Sequence, residues 1–290
     1  MKFKKLLSLS TAFLVSASIL TGCGSNKGTE KNDISVGIVL GAGSINDQSF
    51  NQSTWEGLQK AKADFGIEIK YLESKQDADY VQNIDTFADE EMDLIIGVGF
   101  KLEQAITEAA KNYPEQQFAL IDAVCEGEQP ENVTSLLFED NASAYLTGLI
   151  AGRMTETNKV GFIGGMESPV ISKFDYGFRA GVKAANPDAE VMVQYANSFT
   201  DSALGKTIAN QMHSKNADII FTCAGAVGIG AIEAAKENGK YAIGVDRDQS
   251  DLAPENVLTS AIKRVDAGVF ETVKSYINGT FEGGTTTTYG

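Results

Sequence analysis

Beyond residue 33 the chain alternates between two hydrophobic periods. Short, nearly continuous apolar runs occupy Ile34–Leu40, Ile67–Glu73, Leu94–Gly99, Phe118–Asp122 and Val133–Phe138. A second set follows at Lys159–Gly164, Glu190–Tyr195, Ile219–Cys223, Tyr241–Val245 and Val257–Ile262. Between most of these runs, apolar positions recur at helical spacing. The helical stretches are Asn51–Phe65, Tyr80–Glu90, Leu102–Asn112, Ala142–Met154, Ile171–Ala185, Ala203–Lys215, Val227–Asn238 and Ala267–Ile277. Strands that are apolar throughout are buried on both faces, and amphipathic helices supply the cover. The pattern predicts an α/β protein with doubly wound parallel sheets.

A polar break at Thr155–Asn158 divides the pattern into two strand–helix series of similar length. Two lobes with a cleft between them follow, since a chain of this size exceeds one comfortable core. Ligands of such sheets bind beyond the carboxyl ends of the strands. The loops with most weight are therefore Gly41–Ser49, Gly99–Phe100, Asp122–Cys125, Gly164–Pro169, Ala196–Thr200, Ala224–Gly228 and Asp246–Gln249. No closing element is predicted over Gly283–Gly290, and the natural polypeptide is expected to continue.

The N-terminus changes the picture. Lys2, Lys4 and Lys5 precede an apolar run from Leu6 to Leu20, and Leu20-Thr21-Gly22-Cys23 follows. A basic start, a short apolar stretch and a small-residue cleavage site form a bacterial export signal over residues 1–22. The run is too short and too rich in Ser and Thr to span a bilayer. Cysteine after Leu-x-Gly reads as a lipobox, which makes Cys23 the lipidated mature N-terminus. Polar residues 23–33 then form a flexible tether. The expected location is the outer face of the cell membrane, where ATP and NAD are not supplied.

Composition narrows the chemistry. The chain has 24 basic and 39 acidic residues, and loss of a leader with three lysines takes its formal charge from −15 to −18. Such an acidic surface excludes nucleic acid as a partner. Cys125 and Cys223 remain, and Cys223 lies in an apolar strand-like run, so a buried core thiol is expected rather than a disulfide. The single histidine, His213, falls in a polar helical stretch and is expected at the surface. No metal-ligand spacing or Gly-x-Ser-x-Gly elbow occurs, so neither a cofactor nor enzyme activity is expected.

Gly41-Ala42-Gly43-Ser44-Ile45-Asn46 follows the first strand, but Asn46 stands where a dinucleotide fingerprint needs its third glycine. Ser49 or Asn51 suits the cap of the next helix. Phe50 is either a hydrophobic staple or an aromatic wall of a pocket.

Ser44-Ile45-Asn46-Asp47-Gln48-Ser49-Phe50-Asn51-Gln52 with Trp55-Glu56-Gly57 resembles the opening signature of the basic membrane protein family. These are bacterial substrate-binding lipoproteins that include purine nucleoside receptors. The resemblance continues at Phe118–Asp122, Tyr145–Gly148, Val160–Gly165, Phe174–Phe178, Ala196–Asp201, Ala224–Gly228 and Ile243–Gln249, covering nearly the whole mature chain. It implies a type I periplasmic-binding-protein fold, with two doubly wound parallel-sheet lobes joined by a hinge. Lobe one is expected to hold 34–155 plus 265–280, and lobe two 156–264 plus 281–290. The implied protein is a monomer that closes on a nucleoside and serves ABC permease subunits in the membrane.

Carried over by motif, Phe50 and Phe199 stack on opposite faces of the base, which requires closure because they come from different lobes. Asp246 accepts from the ribose hydroxyls, Lys263 and Asp122 reach the sugar or base, and Gly228 lets backbone approach the ligand. Asp47 and Asn51 complete the implied set. The family pattern is broken at Gly41, where many members carry Asp, and at Arg247, where a small residue is common. Base selectivity is therefore open, with Asn46 or Asp47 as substitutes. The alternatives are a sugar or other small polar ligand in the same fold, or a nucleoside hydrolase using Asp47, Asp122 and Asp246. A repressor effector domain is disfavoured by the export signal.

Overall fold

The computed structural model describes residues 33–290. The leader, Cys23 and all but the last residue of the tether lie outside the described residues.

The first sheet is built from β1 (Ser35–Leu40), β2 (Glu68–Glu73), β3 (Leu94–Val98), β4 (Gln117–Ile121), β5 (Val133–Phe138) and β11 (Thr285–Tyr289). Its order is β11-β5-β4-β3-β1-β2, and every pairing is parallel. The second contains β6 (Lys159–Gly164), β7 (Glu190–Tyr195), β8 (Ile219–Cys223), β9 (Tyr241–Asp246) and β10 (Val257–Ile262), ordered β10-β9-β8-β6-β7 and again parallel. Parallel neighbours need crossovers, and helices supply them.

Each sheet is covered on both faces. In the first, α1 (Phe50–Phe65) and α8 (Val265–Ile277) bury Leu58 and Val269 against Val36, Ile38 and Leu40. On the other face α2 (Asp79–Asp89) and α3 (Glu103–Asn112) bring Phe87 and Ile106 onto Val39 and Ile95. In the second sheet, α4 (Asp140–Met154) and α5 (Pro169–Ala185) lie on one face with Ala144 and Phe178. On its other face lie α6 (Ser202–Ser214) and α7 (Ala226–Glu237) with Met212 and Ala231. The ten apolar runs are all strands, and each helical stretch is a helix displaced by one or two residues at its ends.

Two lobe assignments are corrected. Helix α4 belongs to the second lobe, not the first. Its Ala144 and Ala151 join the cluster of Phe162, Phe174 and Phe178. It packs so tightly on α5 that a Cβ at Gly148 would lie 2.2 Å from the Phe178 carbonyl oxygen. The lobe boundary is therefore at Glu139–Asp140. Thr155–Asn158 is a loop within the second lobe, held by the Asp218 carboxylate. That carboxylate accepts from Thr155 Oγ1 at 2.7 Å and from the Glu156 and Thr157 amides at 2.7 and 3.0 Å.

The second correction concerns residues 281–290. Thr285–Tyr289 of this stretch forms β11 beside β5 in the first sheet, and so belongs to the first lobe. The chain thus passes between lobes at Glu139–Asp140 and at Lys263–Val265.

His213 is also corrected. It is 7% exposed, with Nδ1 2.8 Å from the Ala217 carbonyl oxygen, and burial lowers its pKa. Cys125 and Cys223 are buried free thiols in different lobes.

Candidate ligand-binding site

In the first sheet β1 lies between β2 and β3, and in the second β6 lies between β7 and β8. At each such point successive crossovers leave in opposite directions, so the loops diverge and open a crevice. The two crevices face each other and line one common cavity.

The first lobe contributes Gly41, Ala42, Asp47, Phe50 and Asn51 after β1, the Val98–Lys101 turn after β3, and Asp122 after β4. The second contributes Val170, Ile171 and Phe174 from α5, Phe199 after β7, Cys223–Gly225 after β8, Asp246 after β9 and Lys263 after β10. The strand ends thus bring together seven of the eight ligand-binding residues expected from sequence. The exception is Gly228. It does not line the cavity, and a Cβ there would sit 2.5 Å from Thr222 Oγ1, so its role is packing of α7 on β8. Gly225, in the left-handed region at φ +56°, lines the cavity instead.

Aromatic groups shape part of the cavity. Phe50 opens α1 and Phe199 follows β7, so the two half-buried rings come from opposite lobes. Phe199 rests on Gly165, where a Cβ would lie 2.2 Å from the ring, and Phe100 meets it edge-on at 6.3 Å. Phe100 lies in a loop that topology marks, but neither it nor Phe174 has a ligand role assigned from sequence, because an isolated Phe in a loop or an amphipathic helix reads as core.

Charge is concentrated around Lys263. Its side chain is 2% exposed, and Nζ lies 2.6 Å from Asp122 Oδ2 and 3.1 Å from Asp140 Oδ1. The ammonium also lies 5.0, 5.4 and 5.6 Å from the ring centroids of Phe138, Phe50 and Phe174. Burial alone would lower the lysine pKa, but Asp122 and Asp140 outweigh it and the net shift is upward. Asp140 opens α4, and burial raises its pKa to about 6 against the pull of Lys263. Its acidic position in the first helical turn resembles ordinary helix capping, so sequence alone did not mark it.

Asp246 accepts a hydrogen bond from Ser49 Oγ across the lobe interface. Burial raises its pKa to about 7, while Lys263 and Ser49 act in the opposite direction. Asp122 and Asp246 end equivalent strands of the two lobes, and both have left-handed backbones at φ +68° and +67°. Non-glycine residues held there carry backbone strain, which is typical of functional positions. Asp122 Oδ1 is buried without a protein partner.

Asp47 performs the cap expected of Ser49 or Asn51. Its carboxylate accepts from the amides of Ser49, Asn51 and Gln52 at 2.9, 3.0 and 3.1 Å. Burial raises its pKa, and these three bonds oppose the shift. Asn51 Nδ2 donates to the carbonyls of Ala42 and Ser44 at 2.7 and 3.3 Å, which ties the Gly41–Ser44 loop to α1. Arg247 reaches over the rim to Glu56, with Nη2 to Oε1 at 3.1 Å.

Chemically, the site offers aromatic faces for a flat group and a buried cluster of acceptors with one cation for hydroxyls. Among the described residues, no group of three or more potential metal ligands is assembled.

Residues 34–290 match the family described as ABC transporter substrate-binding protein, PnrA-like. The chain is 40% identical to the ABC transporter nucleoside-binding protein BmpA of Lactococcus lactis, over 99% of this chain and 88% of that protein. It is 37% identical to basic membrane protein A of Borreliella burgdorferi, over 96% of this chain and 82% of that protein. A solved ABC transporter solute-binding protein from Aeropyrum pernix superposes with a TM-score of 0.84 at 31% identity, covering 88% of this chain and 74% of that one.

Proposed function

We propose that this chain, which belongs to the PnrA-like family of ABC transporter substrate-binding proteins, takes a nucleoside between its lobes for delivery to a membrane permease. The observation that carries this reading is the meeting of Phe50 and Phe199, from opposite lobes, with the Asp122–Asp246–Lys263 cluster in one cavity. A nucleoside has the matching parts: a planar base and a sugar with vicinal hydroxyls. Stacking on an aromatic side chain contributes about 1–3 kcal/mol per base and tolerates different bases. The ribose hydroxyls donate to the Asp246 carboxylate, and the charge strengthens both bonds. Asp122 Oδ1 accepts a further ligand hydrogen bond, and Lys263 donates to a ligand oxygen.

Purines offer the larger face for stacking and are the preferred ligands in this reading. Gly41 places no side chain at the base edge, so discrimination among bases is modest. Cys23 carries the lipid that holds the protein on the outer face of the membrane, and residues 24–33 are the slack. Tethering keeps the closed protein near its permease at high effective concentration.

The test is native mass spectrometry of the protein purified from a bacterial host, before and after ligand is removed by denaturation and refolding. A released nucleoside supports the reading. A released sugar that rebinds, with no nucleoside rebinding, contradicts it.

A further inference from the structure

Gln249 lies outside the cavity lining, yet it is 3% exposed and each polar group of its side chain is engaged. Its Oε1 accepts the Val245 amide at 3.0 Å, one residue before Asp246. Its Nε2 crosses to the first lobe and donates to the Gln48 carbonyl at 2.9 Å, one residue before Ser49. Its own amide donates to Ser260 Oγ at 3.1 Å. A backbone donor on one side and a backbone acceptor on the other leave only one orientation for the amide. The fold makes room for this side chain at Gly244, where a Cβ would lie 2.6 Å from Gln249 Oε1.

We propose that Gln249 is a positioning residue that fastens the closed lobes beside Asp246. One half of its amide holds the strand end that presents the Asp246 carboxylate. The other half grips the loop whose Ser49 hydroxyl donates to that carboxylate. The first bond lies within the second lobe and persists when the cleft opens. The second joins the lobes and exists only when they are closed. Closure thereby sets Asp246 and Ser49 in register, and opening must break the Gln249–Gln48 bond. Such a contact acts on release of the ligand more than on its capture. The effect on ligand release rests on the nucleoside reading, whereas the bond itself does not.

Gln249→Glu separates the two halves. A carboxylate still accepts from Val245 but has no proton for the Gln48 carbonyl. Gln249→Leu removes both bonds. With inosine as the probe, stopped-flow competition should show Gln249→Glu releasing ligand roughly threefold to tenfold faster, with association changed less than about twofold. A residue that only shaped the Asp246 loop would leave Gln249→Glu at the wild-type rate, and that result overturns the proposal. A second measurement needs no variant to fold and is made on the closed protein with whatever ligand it carries from purification. In the wild-type protein, the Gln249 side-chain amide protons should exchange slowly with solvent by NMR, in line with the buried bond. Free exchange overturns the clasp. Slow exchange without inosine binding would instead retain the clasp and remove the nucleoside reading.

Discussion

Lys263, at the end of β10 in the second lobe, lies 2.6 Å from Asp122, at the end of β4 in the first. The pair sits where the chain returns from one lobe to the other, and Asp140 flanks it at the other crossing. The lysine thus joins the hinge, the lobe interface and the ligand cavity through one ammonium group.

Replacing Lys263 with Met should be strongly destabilising. It leaves Asp122 and Asp140 buried without their cation, and breaking a buried pair in this way costs about 3–5 kcal/mol. Urea unfolding at pH 8 measures the loss. Adding Asp140→Asn should recover part of it, because one uncompensated carboxylate is then gone.

Phe50→Ala and Phe199→Ala should each weaken nucleoside binding by about 1–3 kcal/mol, the value of one stacked face. Free ribose, which has no base to stack, should be insensitive to both changes. Calorimetry on the two variants checks both statements.

Burial raises the Asp246 pKa to about 7 from an ordinary 3.8, so the folded protein holds this proton more tightly than the unfolded chain. The sign is fixed: this stabilising contribution is complete below about pH 4 and lost as pH rises through 7. Asp246→Asn removes the dependence. The variant should gain melting temperature over wild type at pH 8 and show no such gain at pH 4. Hydroxyl donors of a ligand prefer the carboxylate, so wild-type affinity should fall as pH drops below 7 and level off above it.

Arg247→Ala should change little. The Arg247–Glu56 bridge crosses the lobes, but its side chains are 32% and 43% exposed. Exposed pairs contribute about 0–1 kcal/mol. A dissociation rate within about threefold of wild type is the expected result by stopped flow, with the interlobe hold assigned to buried Gln249 and Ser49.

Cys23→Ser should release the protein into the growth medium, as followed by immunoblot of cell and medium fractions. Nucleoside affinity should be unchanged, because Cys23 lies outside the residues that form the lobes and line the cavity.

The strands were legible because a parallel sheet buries both faces, so each inner strand is an apolar run. β11 broke that rule. Thr285–Tyr289 is a threonine-rich edge strand with exposed positions, and no apolar run marks it. The lobe of α4 was hidden for another reason: linear order does not say which sheet a helix covers. Gly148, which faces Gly181, together with Gly152 against Val182 and Gly177 against Asn141, was the available signal for close packing of α4 on α5. In the site, topology marked the strand-end loops, and the family resemblance named the residues on them that line the cavity. Asp140 and Gln249 act through other residues, and nothing in their sequence positions separates them from a helix-turn acid or a loop amide.

In the proposed function, the cavity between Phe50 and Phe199 takes a nucleoside. Isothermal titration calorimetry of the purified protein with inosine, guanosine, adenosine, cytidine and ribose tests it most directly. Submillimolar binding of the nucleosides is expected, strongest for the purines, with no comparable binding of ribose. Failure of every nucleoside to bind at submillimolar concentration, or ribose binding as tightly as inosine, would contradict it.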